Sequence, residues 1–270
     1  MSTAGNLRRR LLIFKRRRAS RAATSMTVIE HLRELRYRLV VSLAAFLVLT
    51  VVAFIFYDPI LEFIRRPLCR MPRDLLGPQG CDLIFTRPLG GFMFRLKVSA
   101  LAGMVVASPI WLYQVFAFIV PGLNPKERRY AIPFVLTSVV LFSAGTTLAY
   151  LSMPTGIRIL IGLAGEGLIP FIDAEEYMNF VGLMFLGFGA MFELPLILFF
   201  LGLAEVVTVD QLKAQRKVAF VVIFALSAVI TPSQDPFTLT VLALPIYALY
   251  ELTIFLLRRV MRRRAAAASA

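Results

Sequence analysis

One histidine, His31, serves the whole chain. That scarcity leaves no His-based metal site and no Ser–His triad. Cysteine is nearly absent too: Cys69 and Cys81 stand alone in one segment, with no histidine beside them, and make a poor zinc site. No G-x-x-x-x-G-K-[ST] loop occurs, so the chain is no ATP-driven motor. No internal repeat of the two-halved transporter kind is visible, which argues against alternating access. Charge is sparse at 17% of residues, and acid is sparser, with 16 Asp and Glu against 30 Lys and Arg. Together these absences point away from an enzyme, and they imply no metal and no cofactor.

Apolar residues fill the space that charge leaves. The sequence is 59% hydrophobic with a mean hydropathy of +0.76, far above the ~45–50% apolar share of soluble domains. A soluble fold cannot hide so much, so most of the length belongs in membrane spans. The net charge of +14 would suggest nucleic acid in a soluble protein. Here the charges flank apolar segments, as membrane anchors do, and no nucleic-acid partner is expected.

Residues 1–26 hold eight basic residues and no acid. Leu11 to Phe14 is too short for the apolar core of a signal peptide. The arm is expected to be disordered and to touch anionic lipid. Thr27 and Glu30 have capping-box spacing, so a helix begins at Val28. On it Val28, Leu32, Leu35 and Leu39 share one stripe, able to rest on lipid headgroups or on neighbouring helices. Glu30, Arg33, Glu34, Tyr37 and Arg38 gather opposite, and Arg36 lies on the flank. Glu34–Arg38 is at least an i,i+4 pair, worth ~0.2–0.5 kcal/mol. The same face could also receive a basic ligand.

Six apolar stretches follow, at about 39–57, 95–120, 130–153, 177–203, 218–230 and 237–257. The first is long enough to cross ~30 Å of hydrocarbon; the fifth, at 13 residues, is not. Residues 58–90 read as an ordered cap with a short helix over Ile60 to Arg66. A disulfide between Cys69 and Cys81 there would close a loop and stabilise by roughly 2–4 kcal/mol. Pro109 should bend the second span, with Ser108 helping to satisfy the freed carbonyl. Ser143 to Thr147 form a small-residue patch for close helix contact. Asn124, Pro125 and Glu127 have the order of a helix start, which makes Glu127 a cap residue. Yet Glu127 falls at the same membrane surface as Glu34, and two converging carboxylates make a site for guanidinium groups. Asp173 with Glu176 and Thr208 with Gln211 repeat capping-box spacing.

Glu193 lies deep in the fourth apolar stretch. A charge at mid-span is disfavoured by ~2.5–3.5 kcal/mol on insertion scales, so this residue must be protonated or face a polar cavity, and it is a functional candidate by default. Six spans put both termini on one side, with 22 of the 30 basic residues. Positive-inside then makes that side cytoplasmic, leaving residues 258–270 as a basic inner tail with a disordered end. Two rival classes fit the same pattern: a proton-coupled small-molecule transporter using Glu193, and a static scaffold.

Several motifs together carry a family resemblance. They are Glu30-His-Leu-Arg-Glu-Leu-Arg-Tyr-Arg-Leu39, Pro67, Ser108-Pro-Ile-Trp-Leu-Tyr-Gln-Val-Phe-Ala-Phe-Ile-Val-Pro-Gly-Leu123, Lys126-Glu-Arg-Arg129, Phe192-Glu-Leu-Pro195, and Thr231-Pro232 followed by Asp235. In this order across residues 27–257 they resemble the TatC family, the multispan receptor subunit of the twin-arginine protein translocase. The resemblance implies an all-α membrane protein, six helices forming a concave, tilted wall, with a short amphipathic N-terminal helix and an outer cap. It implies docking of twin-arginine signal peptides at the cytoplasmic surface and export of folded cargo driven by the proton motive force. It maps recognition onto Glu34 and Glu127, with Arg36, Arg38 and Phe118 beside them. Its intramembrane glutamate maps onto Glu193 and its outer-loop residues onto Pro67 and Asp235. The implied partners are TatA- and TatB-like single-span proteins against the fifth and sixth spans, near Thr231, Thr238 and Thr240. A homo-oligomer within the complex is also implied.

Overall fold

A computed structural model describes residues 28–72, 75–78, 80–119, 131–163, 165, 170–231 and 235–269. The described residues form nine helices: α1 (Val28–Ile55), α2 (Tyr57–Cys69), α3 (Gly90–Val106), α4 (Ser108–Ile119), α5 (Ala131–Leu163), α6 (Ala174–Leu203), α7 (Val209–Ala214), α8 (Arg216–Ile230) and α9 (Pro236–Ser269). No strand occurs among them; the one extended pairing is an isolated bridge between Ile84 and Asp173. The basic arm, the Thr27 cap and Glu127 with its Asn124 cap lie outside the described residues.

Four helices, α1, α5, α6 and α9, are long and apolar enough to cross a membrane, and α3 with α4 makes a fifth span bent by 54°. Helix α8 has 15 residues. It rises only about 22 Å, short of the ~30 Å hydrocarbon layer. The chain is therefore a multi-pass, all-helical membrane protein.

Helix α6 is the hub. Its most apolar stretch is 56% buried within the chain, against 6% for α1. Val181, Met184 and Phe188 of α6 are fully enclosed, beside Val98, Met153, Leu242 and Ile246 from α3, α5 and α9. Small residues set the closest approach. A Cβ on Gly145 of α5 would sit 2.6 Å from the Phe188 carbonyl oxygen, and one on Gly103 of α3 would sit 2.7 Å from the Thr50 amide nitrogen. Of the small patch at 143–147 only Gly145 and Thr146 are buried. Thr146 donates to the Phe142 and Phe185 carbonyls, at 3.0 and 3.4 Å.

Element boundaries differ from the sequence expectation in three places. The expected short N-terminal helix and the first span are one continuous helix, α1, because nothing between Val28 and Ile55 breaks it. Helix α5 runs through Pro154 to Leu163 rather than ending near 153, since Ile157 still has a core to bury against. Helix α9 continues through the arginines to Ser269 where a disordered end was expected. Alanine is the best helix former, and Ala265 to Ala268 extend a helix already nucleated.

The bend between α3 and α4 has an unexpected keeper. Pro109 has no N–H for the Val105 carbonyl, and one residue earlier the Met104 carbonyl accepts from the Trp111 indole nitrogen, at 3.1 Å. The sequence expectation put a carbonyl-satisfying side chain at Ser108; here the Trp111 indole bonds a carbonyl and its ring also packs, meeting the Phe142 ring edge-on at 5.3 Å. Trp111→Phe keeps the ring and removes the donor. We expect it to destabilise the chain by ~1–3 kcal/mol, the cost of an orphaned buried carbonyl, read as a lowered detergent melting temperature. An unchanged melting temperature would show that water takes over.

The cap formed by residues 58–90 is ordered by similar substitutions. Pro67 in the last turn of α2 cannot bond the Phe63 carbonyl, which accepts from the Tyr150 hydroxyl at 3.1 Å. Tyr177 donates to the Ile64 carbonyl at 2.7 Å. Ile84 pairs with the chain just before α6, accepting from the Ala174 amide at 2.7 Å and donating to Ile172 at 3.1 Å. Lys97 bonds Glu175 at 2.8 Å and Asn179 at 3.1 Å. Cys69 and Cys81 are joined, with Cα atoms 5.0 Å apart. Intact-mass measurement after alkylation without reductant should find no free thiol in membranes; two alkylated cysteines would contradict the bridge. Cys69→Ala with Cys81→Ala should cost roughly 2–4 kcal/mol.

Candidate functional site at the α1–α4 corner

Helix direction fixes which ends lie together. Helix α6 starts at the cap and ends at Leu203, where Arg264 of α9 donates to the Leu203 carbonyl at 3.2 Å. Helix α1 ends against the cap, its Phe54 carbonyl accepting from Arg95 at 3.3 Å. The start of α1 therefore lies at the same end of the molecule as the arginines of α9.

At that start the polar face turns inward. Leu32, Leu35 and Leu39 are exposed, as lipid-facing residues are, while His31, Glu34 and Arg38 are partly covered. These three sit at i, i+3 and i+7, one face of the helix. They meet Gln114 and Phe118, an i,i+4 pair on α4. Phe116, two residues before Phe118, points the other way and packs with Phe134 and Phe200, ring centres 3.5 and 5.3 Å away. That aromatic cluster fixes the roll of α4, so Gln114 and Phe118 must face α1.

The contacts are specific. Arg38 donates from Nε to Glu34 Oε1 at 3.0 Å, and its Nη2 bonds the same oxygen. Its Nη1 reaches Gln114 Oε1 at 3.2 Å. The His31 and Phe118 rings stack with centres 4.3 Å apart. Glu34 Oε2 is buried and has no hydrogen-bond partner among the described residues. Half of the carboxylate is thus committed to Arg38, and half stays unsatisfied. Arg36 is exposed.

A second acid lies in the core. Glu193 of α6 is 9% exposed. Ser138 of α5 donates to its Oε2 at 2.6 Å, and Oε1 has no partner among the described residues. Beside it Pro195 interrupts the α6 ladder, and its carbonyl accepts from Thr253 of α9 at 3.1 Å.

The remaining sequence candidates are placed as follows. Pro67 is buried in the cap. Asp235 is buried and accepts from the Thr238 amide at 2.8 Å, capping the start of α9. Thr231 and Thr238 are buried; of the three threonines only Thr240 is exposed. Sequence reasoning gave no role to Gln114 or Ser138. Gln114 lay inside a quoted motif, and its spacing from Phe118 was the usable signal. Ser138 bonds a residue 55 positions away, which no local pattern reveals. Among the described residues no cluster of His, Cys, Asp and Glu could hold a metal.

A bent second span, a central helix with a buried carboxylate and an acid–guanidinium corner at one end define a multi-pass membrane protein with polar sites on an apolar wall. Residues 30–245 match the family model "Sec-independent protein translocase protein (TatC)". The chain is 36% identical over 242 residues to the protein of that name from Aquifex aeolicus, covering 88% of this chain and 98% of that one. It is 42% identical over 248 residues to the one from Frankia casuarinae, covering 88% and 68%. A Corynebacterium kroppenstedtii relative is 39% identical, and the chain spans 63% of its length. A solved structure described as "Twin Arginine Translocase Receptor- TatC" superposes with a TM-score of 0.70 at 36% identity, covering 86% of this chain and all of that one. The chain belongs to the TatC family of Sec-independent protein translocase proteins.

Proposed function

We propose that this protein is the core subunit of a twin-arginine translocase, and that the Glu34 corner receives the paired arginines of signal peptides on folded cargo. The observation that carries this reading is the unsatisfied Glu34 Oε2 beside a guanidinium already bound to Oε1. An arriving guanidinium finds an acceptor held in place by Arg38 and Gln114. Planar N–H forks suit that acceptor, and lysine copies them poorly. Glu127, which lies outside the described residues, is the proposed second carboxylate, and Arg36 and Phe118 are proposed to stand beside the pair. Each exposed pair alone is worth ~0.2–1 kcal/mol. Micromolar binding needs about −8 kcal/mol, so the signal's apolar segment supplies most of the affinity along the wall.

The membrane is the cytoplasmic one, with six spans, both termini inside and the basic arm at residues 1–26 against anionic lipid. Transport is driven by the proton motive force. TatA- and TatB-like single-span proteins pack on α8 and the start of α9, where Val218, Val221, Val229 and Phe237 are exposed. Thr240 is the contact there; Thr231, Thr238 and Asp235 hold the turn that presents it. Several copies of the chain share one complex.

The test is affinity of the purified full chain for signal peptides carrying Arg-Arg or Lys-Lys. Preference for Arg-Arg that disappears in a Glu34→Ala, Glu127→Ala double variant supports the reading; equal binding of both peptides contradicts it. Glu193 polarises the wall and helps a partner insert. Glu193→Leu orphans the Ser138 hydroxyl and is expected to slow export of folded cargo at least about tenfold, for ~1.4 kcal/mol or more. Glu193→Gln keeps an acceptor and slows it less. Normal export by Glu193→Leu would remove this role. A proton-coupled small-molecule transporter built on the same carboxylate would bind no signal peptide.

A further inference from the structure

An apolar groove opens between α5, α6 and α9. It encloses about 310 Å³ and is lined by Phe134, Leu141, Leu196, Leu203, Leu256 and Val260 among others. Among the described residues its only polar side chains are Thr137 and Thr253. Both hydroxyls donate to carbonyls, Thr137 to Pro133 at 2.8 Å and Thr253 to Pro195 at 3.1 Å. Among the described residues the lining therefore has no free side-chain donor for a polar ligand.

The groove has a length and a charged end. Along α9 it runs from Leu249 to Val260, about 16 Å at 1.5 Å per residue, or one leaflet of a ~30 Å hydrocarbon layer. At 100° per residue Arg259 and Arg263 flank the same face around Val260, whereas Arg258 and Arg262 fall on the opposite face. Arg264 ties this end to the carbonyl of Leu203, itself a groove residue. Arg259 and Arg263 are exposed, and no ion pair engages either among the described residues.

We infer that this groove holds one acyl chain of an anionic phospholipid from the leaflet at the α9 C-terminus, with its phosphate on Arg259 and Arg263. The chain fills a slot lined almost entirely by apolar side chains. The headgroup meets two unpaired guanidiniums where the slot leaves the hydrocarbon. The bound lipid would seal α9 against α6 beside the Pro195 kink.

Native mass spectrometry of the detergent-purified full chain, titrated with phosphatidylglycerol or phosphatidylcholine, tests this. One phosphatidylglycerol should be retained about thirtyfold more tightly than phosphatidylcholine, from roughly 1 kcal/mol for each of the two arginines. Arg259→Gln with Arg263→Gln should erase the preference, and Arg258→Gln with Arg262→Gln should keep it. Leu256→Trp, at a position 41% exposed, should block both lipids without unfolding. Equal loss in the two arginine pairs means diffuse attraction to a polybasic tail and overturns the site. Equal retention of the two lipids by the unaltered chain overturns it as well. Displacement of the lipid by a stoichiometric single-span peptide would give the groove to a protein partner and also overturn it.

Discussion

Replacing Glu34 by alanine is expected, on the proposed function, to lower affinity for an Arg-Arg signal peptide by about ten- to a hundredfold, because hydrogen bonds to a charged group are worth ~1.5–3 kcal/mol. The Lys-Lys peptide loses less, since an ammonium never made the forked pair. Part of the effect on the protein is internal. Arg38 keeps only Gln114 when Glu34 is gone, so its half-buried guanidinium loses a partner and the corner loosens. Glu34→Gln separates the two contributions. It preserves an acceptor for Arg38 and removes the charge, so stability should stay near normal while Arg-Arg preference falls. Raising the salt should weaken binding further, because the corner opens to the aqueous boundary. If Glu34→Ala and Glu34→Gln bind both peptides as the unaltered chain does, Glu34 is only a structural partner of Arg38.

The largest loss of stability is expected from Gly145→Leu. The new Cβ alone would meet the Phe188 carbonyl oxygen at 2.6 Å, its carbon at 2.9 Å and Gly189 Cα at 3.1 Å. These are backbone atoms of the hub helix, and no rotamer can move them aside. Relief requires α5 to retreat from α6. That opens the contact around Thr146 and Phe188 and pulls Ser138 away from Glu193. Overpacking costs typically ~1–3 kcal/mol and more where backbone must shift; here we expect more than ~3 kcal/mol, with loss of export. Gly182→Ala is the matched control on α6. Nothing lies within 4 Å of its added Cβ, and alanine favours the helix by ~1 kcal/mol over glycine. It should be neutral or stabilising by thermal melting in detergent. A Gly145→Leu chain that melts with the unaltered protein would refute the tight α5–α6 seam.

The sequence made these sites partly legible. Apolar runs between basic flanks located the four long membrane-crossing helices and the bent pair α3–α4, since the bilayer admits little else. Caps that rest on a few adjacent residues were readable: Asp173 accepts from the Glu175 and Glu176 amides at 2.8 and 3.2 Å, and Thr208 with Gln211 forms its capping box. The inward turn of Glu34 was only half readable. Periodicity gathered Glu34 and Arg38 on one face but could not decide which face meets lipid. That choice belongs to α4, whose roll is set by Phe116, Phe134 and Phe200 on three different helices. Proline positions were readable as interruptions, yet the groups that repair them were not. Tyr150 for Pro67 and Trp111 for the Pro109 bend come from packing, and the first crosses 87 residues. Helix ends at Leu163 and Ser269 escaped notice because proline and arginine runs look like stops when tertiary support is unseen.

A double-mutant cycle between Glu34 and the signal's arginines tests the central claim most directly. Binding is measured for the unaltered and Glu34→Gln chains, each against peptides with Arg-Arg and with one arginine replaced by glutamine. The account predicts a coupling energy above ~1 kcal/mol for at least one arginine, within the range seen for groups in contact. Additive effects within ~0.3 kcal/mol at both arginines, the behaviour of separated sites, would contradict it.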